Sequence, residues 1–161
     1  MAIGFVDLVG FTTLARRVEL HELAAIVERF EETAHDVAAQ RDGRVVKFVG
    51  DEVMFVAADA ATACDIALTL VETFAGDSAV TPRGGLAAGE VVIRGGDYYG
   101  PIVNLAARLA ELAVPQEILV TGEVAAAADA SFRFEAAGKR LLKGVEEPVR
   151  LFTAERQSTP Q

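Results

Sequence analysis

Residues 45–56 read VVKFVGDEVMFV, two β-branched and aromatic runs joined by Gly50-Asp51-Glu52. Apolar runs of this length, broken by Gly and Asp, predict a hairpin with a tight corner and put Asp51 at its turn. Lys47, Asp51 and Glu52 fall within six positions of one another, although such charges are rarely buried without a partner. Upstream, Asp7 in IGFVDLVGFT (3–12) ends another apolar run in the same way. If the two strands are neighbours, both carboxylates reach one edge of a sheet, where they repel unless a cation or a proton lies between them.

Outward from the hairpin the pattern alternates between helix and strand. From Glu19 to Gln40 the residues Leu20, Leu23, Ile26, Val27, Phe30, Ala34 and Val37 recur at steps of three and four, which predicts a long amphipathic helix. DAATACDIALTLVETFA (59–75) predicts a second helix with Asp59 as its N-cap, and TPRGG (81–85) is expected to end that region. GLAAGEVVIR (85–94) reads as a strand bulged or bent at Gly89, and GGDYYG (95–100) as a loop. PIVNLAARLAELA (101–113) reads as a helix entered through Pro101. EILVTG (117–122) is a short strand, EVAAAADA (123–130) a small-residue helix, and residues 132–144 and 147–155 are strands joined by a charged turn.

The order β-α-α-β-β-α-β, followed by a further helix and strands, implies an α+β, ferredoxin-like fold: helices on one face of a mostly antiparallel sheet. A single domain over residues 1–155 is expected, with a frayed polar tail RQSTPQ at 156–161. Only six residues precede Asp7, so the first strand is expected to be short at its outer end and the chain to be a trimmed piece.

Composition narrows the function. A net charge of −9 argues against a general nucleic-acid or anionic-membrane surface, because those partners need a basic field. Although 52% of the residues are apolar, no run is long enough for a membrane span, and no basic region followed by an apolar one opens the chain. A soluble, cytoplasmic protein is expected. The single Cys64 cannot form an internal disulfide and reads as a small buried thiol on a helix.

The candidate chemical residues each have a plainer reading when taken singly. Asp7 and Asp51 are hard oxygen ligands suited to Mg²⁺ or Mn²⁺, but equally an N-cap and a turn residue. Asn104 and Arg108, four apart on a predicted helix, share a face that can hold a ribose and a phosphate, or form a solvated stripe. Lys47 can snorkel from a strand, and Lys143 can be a turn cation beside Glu146 and Glu147.

Their joint order and spacing is more specific. FVDLVGFTTL, GRVVKFVGDEVMFV, GLAAGEVVIRGGDYYGPIVNLAARL and LLKGVEEPVRLF together resemble the class III adenylyl/guanylyl cyclase catalytic domain, of the bacterial adenylyl cyclase type, from Ala2 to about Ala154. The resemblance implies that Asp7 and Asp51 ligate two divalent metals, Mg²⁺ or Mn²⁺, with the Leu8 carbonyl as a further ligand. It implies that Lys47 and Asp97 select adenine, that Asn104 orients the ribose, that Arg108 stabilises the transition state at the α-phosphate, and that Lys143 meets the terminal phosphates of ATP. It also implies a head-to-tail homodimer with its active sites at the interface. One chain would supply Asp7 and Asp51, and its partner Lys47, Asp97, Asn104, Arg108 and Lys143. The brief segment between Glu90 and Asp97 resembles the compact bacterial branch with a short dimerisation arm.

Base choice follows from hydrogen-bond signs. Adenine offers an acceptor at N1 and a donor at N6, matched by a lysine and an aspartate, whereas guanine reverses both. Lys47 and Asp97 therefore favour ATP and disfavour the guanylyl cyclase alternative. A diguanylate-cyclase-like hairpin would read Gly-Gly-Asp/Glu-Glu-Phe, and Val49 and Val53 flank the acids here instead. A non-catalytic dimerising module of the same fold would be marked by loss of a metal or transition-state residue, and all are present.

Overall fold

The computed structural model describes residues 1–76 and 80–158. The chain runs β1 (Ala2–Val9), α1 (Phe11–Ala15), α2 (Leu20–Gln40), β2 (Gly43–Val49), β3 (Glu52–Ala57), α3 (Ala60–Thr73) and β4 (Thr81–Ala88). It continues β5 (Val92–Arg94), β6 (Asp97–Tyr99), α4 (Pro101–Leu112), β7 (Ile118–Thr121), α5 (Gly122–Ala127), β8 (Phe132–Arg140) and β9 (Val149–Arg156). Among the described residues, seven strands form one sheet in the order β2-β3-β1-β4-β7-β9-β8, and β5 and β6 pair only with each other. Within the large sheet β4–β7 is the one parallel pair, so the mostly antiparallel α+β expectation holds.

The long helix forms as its periodicity predicts, burying Phe30, Ala34, Val37 and Ala38. The second starts where Asp59 accepts a hydrogen bond from the Thr62 amide at 2.7 Å. That bond holds the Asp59 carboxyl below its ordinary range, so the cap stabilises the fold above about pH 4 and is lost as the pH falls through the lower folded-state value. Asp59→Ala should cost about 1 kcal/mol at neutral pH. Melting curves should show a fall of about 2 to 4 °C that shrinks in acid.

Helices cover both faces of the sheet, not one. Alternation along β1 sends Ala2, Val6 and Leu8 into a core with Phe30 of α2, Ile66 and Leu70 of α3 and Val124 of α5. Ile3 and Phe5 point to the other face, into a core with Ala106 and Ala110 of α4. Gly85 permits this second layer. A Cβ there would lie 2.4 Å from the Ala106 carbonyl oxygen and 2.5 Å from the Ala110 amide nitrogen, both backbone atoms that cannot swing aside. Gly85→Ala should therefore push α4 off the sheet at a cost of about 1 to 3 kcal/mol. The checks are a lower melting temperature and faster amide exchange along α4.

Four local expectations are corrected. TPRGG does not end the helical region but forms the first half of β4. Pro82 is tolerated because its missing N–H lies on the β7 side, where the ladder begins only at Gly84 and the Pro82 carbonyl accepts from the Gln116 amide at 2.8 Å. GGDYYG is not a loop: Gly95 and Gly96, with φ of 61° and 78°, make a two-residue turn between paired Arg94 and Asp97, the geometry that hairpin twist favours. The first strand is not short, since its register spans all of β3 and all of β4. Arg156 is not tail but the last residue of β9, where its guanidinium donates to Glu72 at 2.6 Å and to Asp65 at 2.8 Å. The end of the expected tail, 159–161, lies outside the described residues. No helix among the described residues is long and apolar enough to cross a membrane.

Candidate active site

β1 and β3 are neighbours, and their register sets Asp7 directly opposite Glu52, with Asp51 one residue earlier in the turn. Gly50, at φ 61°, supplies the left-handed residue that the corner needs. Asp7 lies within β1, on the α4 side, and the N-cap of α1 is Gly10, which removes the capping explanation for this acid. Asp51 is a turn residue, as its plainer reading required.

The electrostatics of this corner are unfavourable for free carboxylates. Burial raises the Asp7 pKa, with Asp51 and Glu111 adding to it against the opposing hydrogen bond and charge of Arg83. Burial, Asp7 and Asp51 together push Glu52 up to about 7. Acids that are desolvated and mutually repelling form a donor set that a divalent cation relieves. Among the described residues, the His and carboxylate group drawn within 4.8 Å is instead the exposed Glu19, His21 and Glu22 at the start of α2. The acids near Asp7 are not packed that tightly, as expected for like charges. Leu8 lies past the last β1 residue paired with β3, and its partner on β4, Pro82, turns its carbonyl the other way, to the Gln116 amide.

A second grouping joins β2 to β6. Lys47 donates to Asp97 Oδ2 at 2.8 Å, and the Tyr98 amide donates to Asp97 Oδ1 at 2.8 Å. The Lys47 ammonium, followed by the Tyr98 amide, holds the Asp97 carboxyl below its ordinary range. The two residues thus form a preassembled donor and acceptor pair, partly open to solvent.

The third grouping is a cleft of about 610 Å³ at the start of α4, lined among others by Asn104, Arg108 and Lys143. Pro101 enters α4 at its first turn after Gly100, at φ 140°, and Asn104 and Arg108 follow one helical turn apart. Lys143 comes from the loop between β8 and β9. Arg108 donates to Glu111 at 3.1 Å and is otherwise accessible. Neither Asp7 nor Asp51 lines this cleft.

Arg83 is a site residue that the sequence reading passed over. It donates to Asp7 Oδ1 at 2.9 Å and to the carbonyls of Glu111 and Ala113 at 3.0 and 3.1 Å, tying β1 to the end of α4. Its partner is known only once Asp7 and Arg83 are seen opposite each other in the β1–β4 register. A polar residue two places before Gly85 is by itself a faint signal.

Known proteins share this chain's sequence and fold. The family model described as "Adenylate and Guanylate cyclase catalytic domain" matches residues 1–155. An adenylate cyclase of Streptomyces coelicolor is 52% identical over 121 residues, 74% of this chain and 32% of that protein. A pH-sensitive adenylate cyclase of Mycobacterium tuberculosis is 38% identical over 165 residues, 99% of this chain and 41% of that protein. The crystal structure of the adenylyl cyclase CyaB from P. aeruginosa superposes with a TM-score of 0.86 at 23% identity, covering 98% of this chain and 94% of that one. The chain spans about a third of the length of the first two curated relatives it matches.

Proposed function

The chain belongs to the adenylate and guanylate cyclase catalytic domain family, and from that premise we propose that it is an adenylyl cyclase converting ATP to 3′,5′-cyclic AMP and pyrophosphate, at sites shared across a head-to-tail homodimer. The ribose 3′-oxygen forms a bond to the α-phosphorus. The bond from that phosphorus to the oxygen bridging to the β-phosphate breaks, and the hydroxyl proton leaves to solvent.

The observation that carries the shared site is the separation of the parts. Arg108, Asn104 and Lys143 line one cleft; Asp7 and Asp51 do not, and nor do Lys47 and Asp97, which pair with each other between β2 and β6. A second copy, turned to bring its acids over this cleft, completes the set, as an isologous two-fold permits. Asn104 then orients the ribose, and Lys143 binds the terminal phosphates. Arg108, accessible at the cleft, neutralises charge gathering on the α-phosphoryl oxygens, where a positioned cation acts most strongly. Lys47 donates to adenine N1 and Asp97 accepts from N6, and their mutual 2.8 Å contact holds the donor and the acceptor side by side.

The chemistry of the donor set fits two divalent cations, Mg²⁺ or Mn²⁺, held by Asp7, Asp51 and the Leu8 carbonyl, which when bound lower the pKa of the hydroxyl and screen the triphosphate. Arg83 keeps Asp7 Oδ1 engaged, leaving Oδ2 as the free acceptor. The direct test is an assay for cyclic AMP from ATP with Mn²⁺ or Mg²⁺ beside an Asp51→Ala control. Product from the parent and none from the control is expected; no product from either ion overturns the assignment.

A further inference from the structure

The β2–β3 register slips by one residue between Val45 and Lys47. Arg44 pairs with Val56 and Lys47 with Met54, and both of those partners belong to the α4-side core. In a regular strand, residues three apart point to opposite faces. The bulge puts Arg44 and Lys47 on the same one, which is how bulges re-aim side chains beside active sites.

Both side chains reach consecutive residues of β6. Lys47 meets Asp97, and Arg44 Nη2 donates to the Tyr98 hydroxyl at 2.7 Å with its guanidinium carbon 5.5 Å from the ring centroid. Tyr98 is 7% exposed and belongs to the core of Ile3, Met54 and Val56. β6 itself is outside the seven-stranded sheet and pairs only with three-residue β5, so ladder hydrogen bonds to the main sheet do not fix its position. The side chain of Tyr98 does.

We propose that Arg44 and Tyr98 are positioning residues for base selection: by anchoring β6 to the bulged β2, they hold Asp97 against Lys47 and so set the preference for adenine over guanine. This assignment rests on Lys47 and Asp97 being the base-selecting pair. Two cross-links on adjacent residues fix both the place and the rotation of β6. Losing the Arg44 link leaves the Tyr98 ring buried but without its polar tether, so β6 can shift about that ring and carry Asp97 off Lys47.

The test measures kcat/KM for ATP and for GTP in the dimeric enzyme. Tyr98→Phe keeps the buried ring and removes only the accepting oxygen, whereas Arg44→Gln draws the donor back from the hydroxyl and removes the charge over the ring. Each should lower the ATP-over-GTP ratio roughly fivefold to tenfold. The change should lie in a higher KM for ATP, with kcat at saturation within about twofold. The double variant should be no worse than either single, because both cut one link. Equilibrium binding of 3′-deoxy-ATP against 3′-deoxy-GTP, which lack the attacking hydroxyl, should show the same ratio without turnover. A purely structural role would lower the melting temperature and weaken both nucleotides alike. A ratio within twofold of the parent in both single variants overturns the proposal. Lys47→Glu with Asp97→Gly separates the two levels. Unchanged preference in that variant removes the base-selecting pair and the proposal with it, whereas a shift there without one in Tyr98→Phe or Arg44→Gln removes only the positioning role.

Discussion

Mixing an Asp51→Ala chain with an Arg108→Ala chain should restore cyclic AMP formation that neither variant has alone. Each parent dimer carries the same defect in both sites, and loss of one cation that stabilises transition-state charge costs on the order of 10² to 10³ in rate. In the heterodimer both lesions fall into one site. The other site combines the intact acids of the Arg108→Ala chain with the intact cleft of the Asp51→Ala chain. Random pairing at equal concentrations makes half the dimers mixed, each with one working site, so about a quarter of the parent activity is expected. The physical ground is the distribution already described, with Arg108 in a cleft that the chain's own Asp51 does not line. A mixture as inactive as its parents, with heterodimers demonstrated by a mass-tagged copy, would mean that the site is complete within one chain.

Lys47→Glu with Asp97→Gly should invert nucleotide preference. The parent presents a donor and an acceptor in direct contact at 2.8 Å, complementary to adenine N1 and N6. Against guanine, the Lys47 donor faces the N1–H donor and the Asp97 acceptor faces the O6 acceptor, so both hydrogen bonds turn to repulsion. Two mismatches amount to discrimination on the order of 10² or more. With glutamate as an acceptor and glycine relieving the clash at position 97, ATP turnover should fall and GTP turnover rise. Initial rates on both nucleotides decide it, and unchanged preference would sink the hydrogen-bond account. Gly85→Ala bears on the same residues from further away, since a displaced α4 carries Asn104 and Arg108 with it.

Much of this site was legible in the chain. Glu19–Gln40, the hairpin at residues 45–56 and the Pro101 helix carry strong periodicity or strong punctuation, and each formed where expected. The turn at GGDYYG was misread because two glycines suit a loop and a type I′ hairpin equally, and only pairing with β5 decides between them. The place of the Pro101 helix on the second face was missed for a related reason: Gly85 looks like a breaker in the sequence, whereas in the fold its missing side chain makes room for α4. Arg83, Arg44 and Tyr98 went unnoticed because their partners are 76 and 54 positions away.

Residue identity and spacing along the chain were enough to name the family and its fold and to single out Asp7, Asp51, Lys47, Asp97 and the polar residues of the cleft, because the pattern of chemical types is written in order. Which of them stand together was decided only by the tertiary structure. Strand register sets Asp7 against Glu52 and Arg83, a one-residue bulge turns Arg44 and Lys47 to one face, and the helix on the second face carries Asn104 and Arg108 to a cleft apart from Asp7 and Asp51. A side chain's direction depends on every residue paired before it, so one inserted position reverses it, and no local pattern records that count.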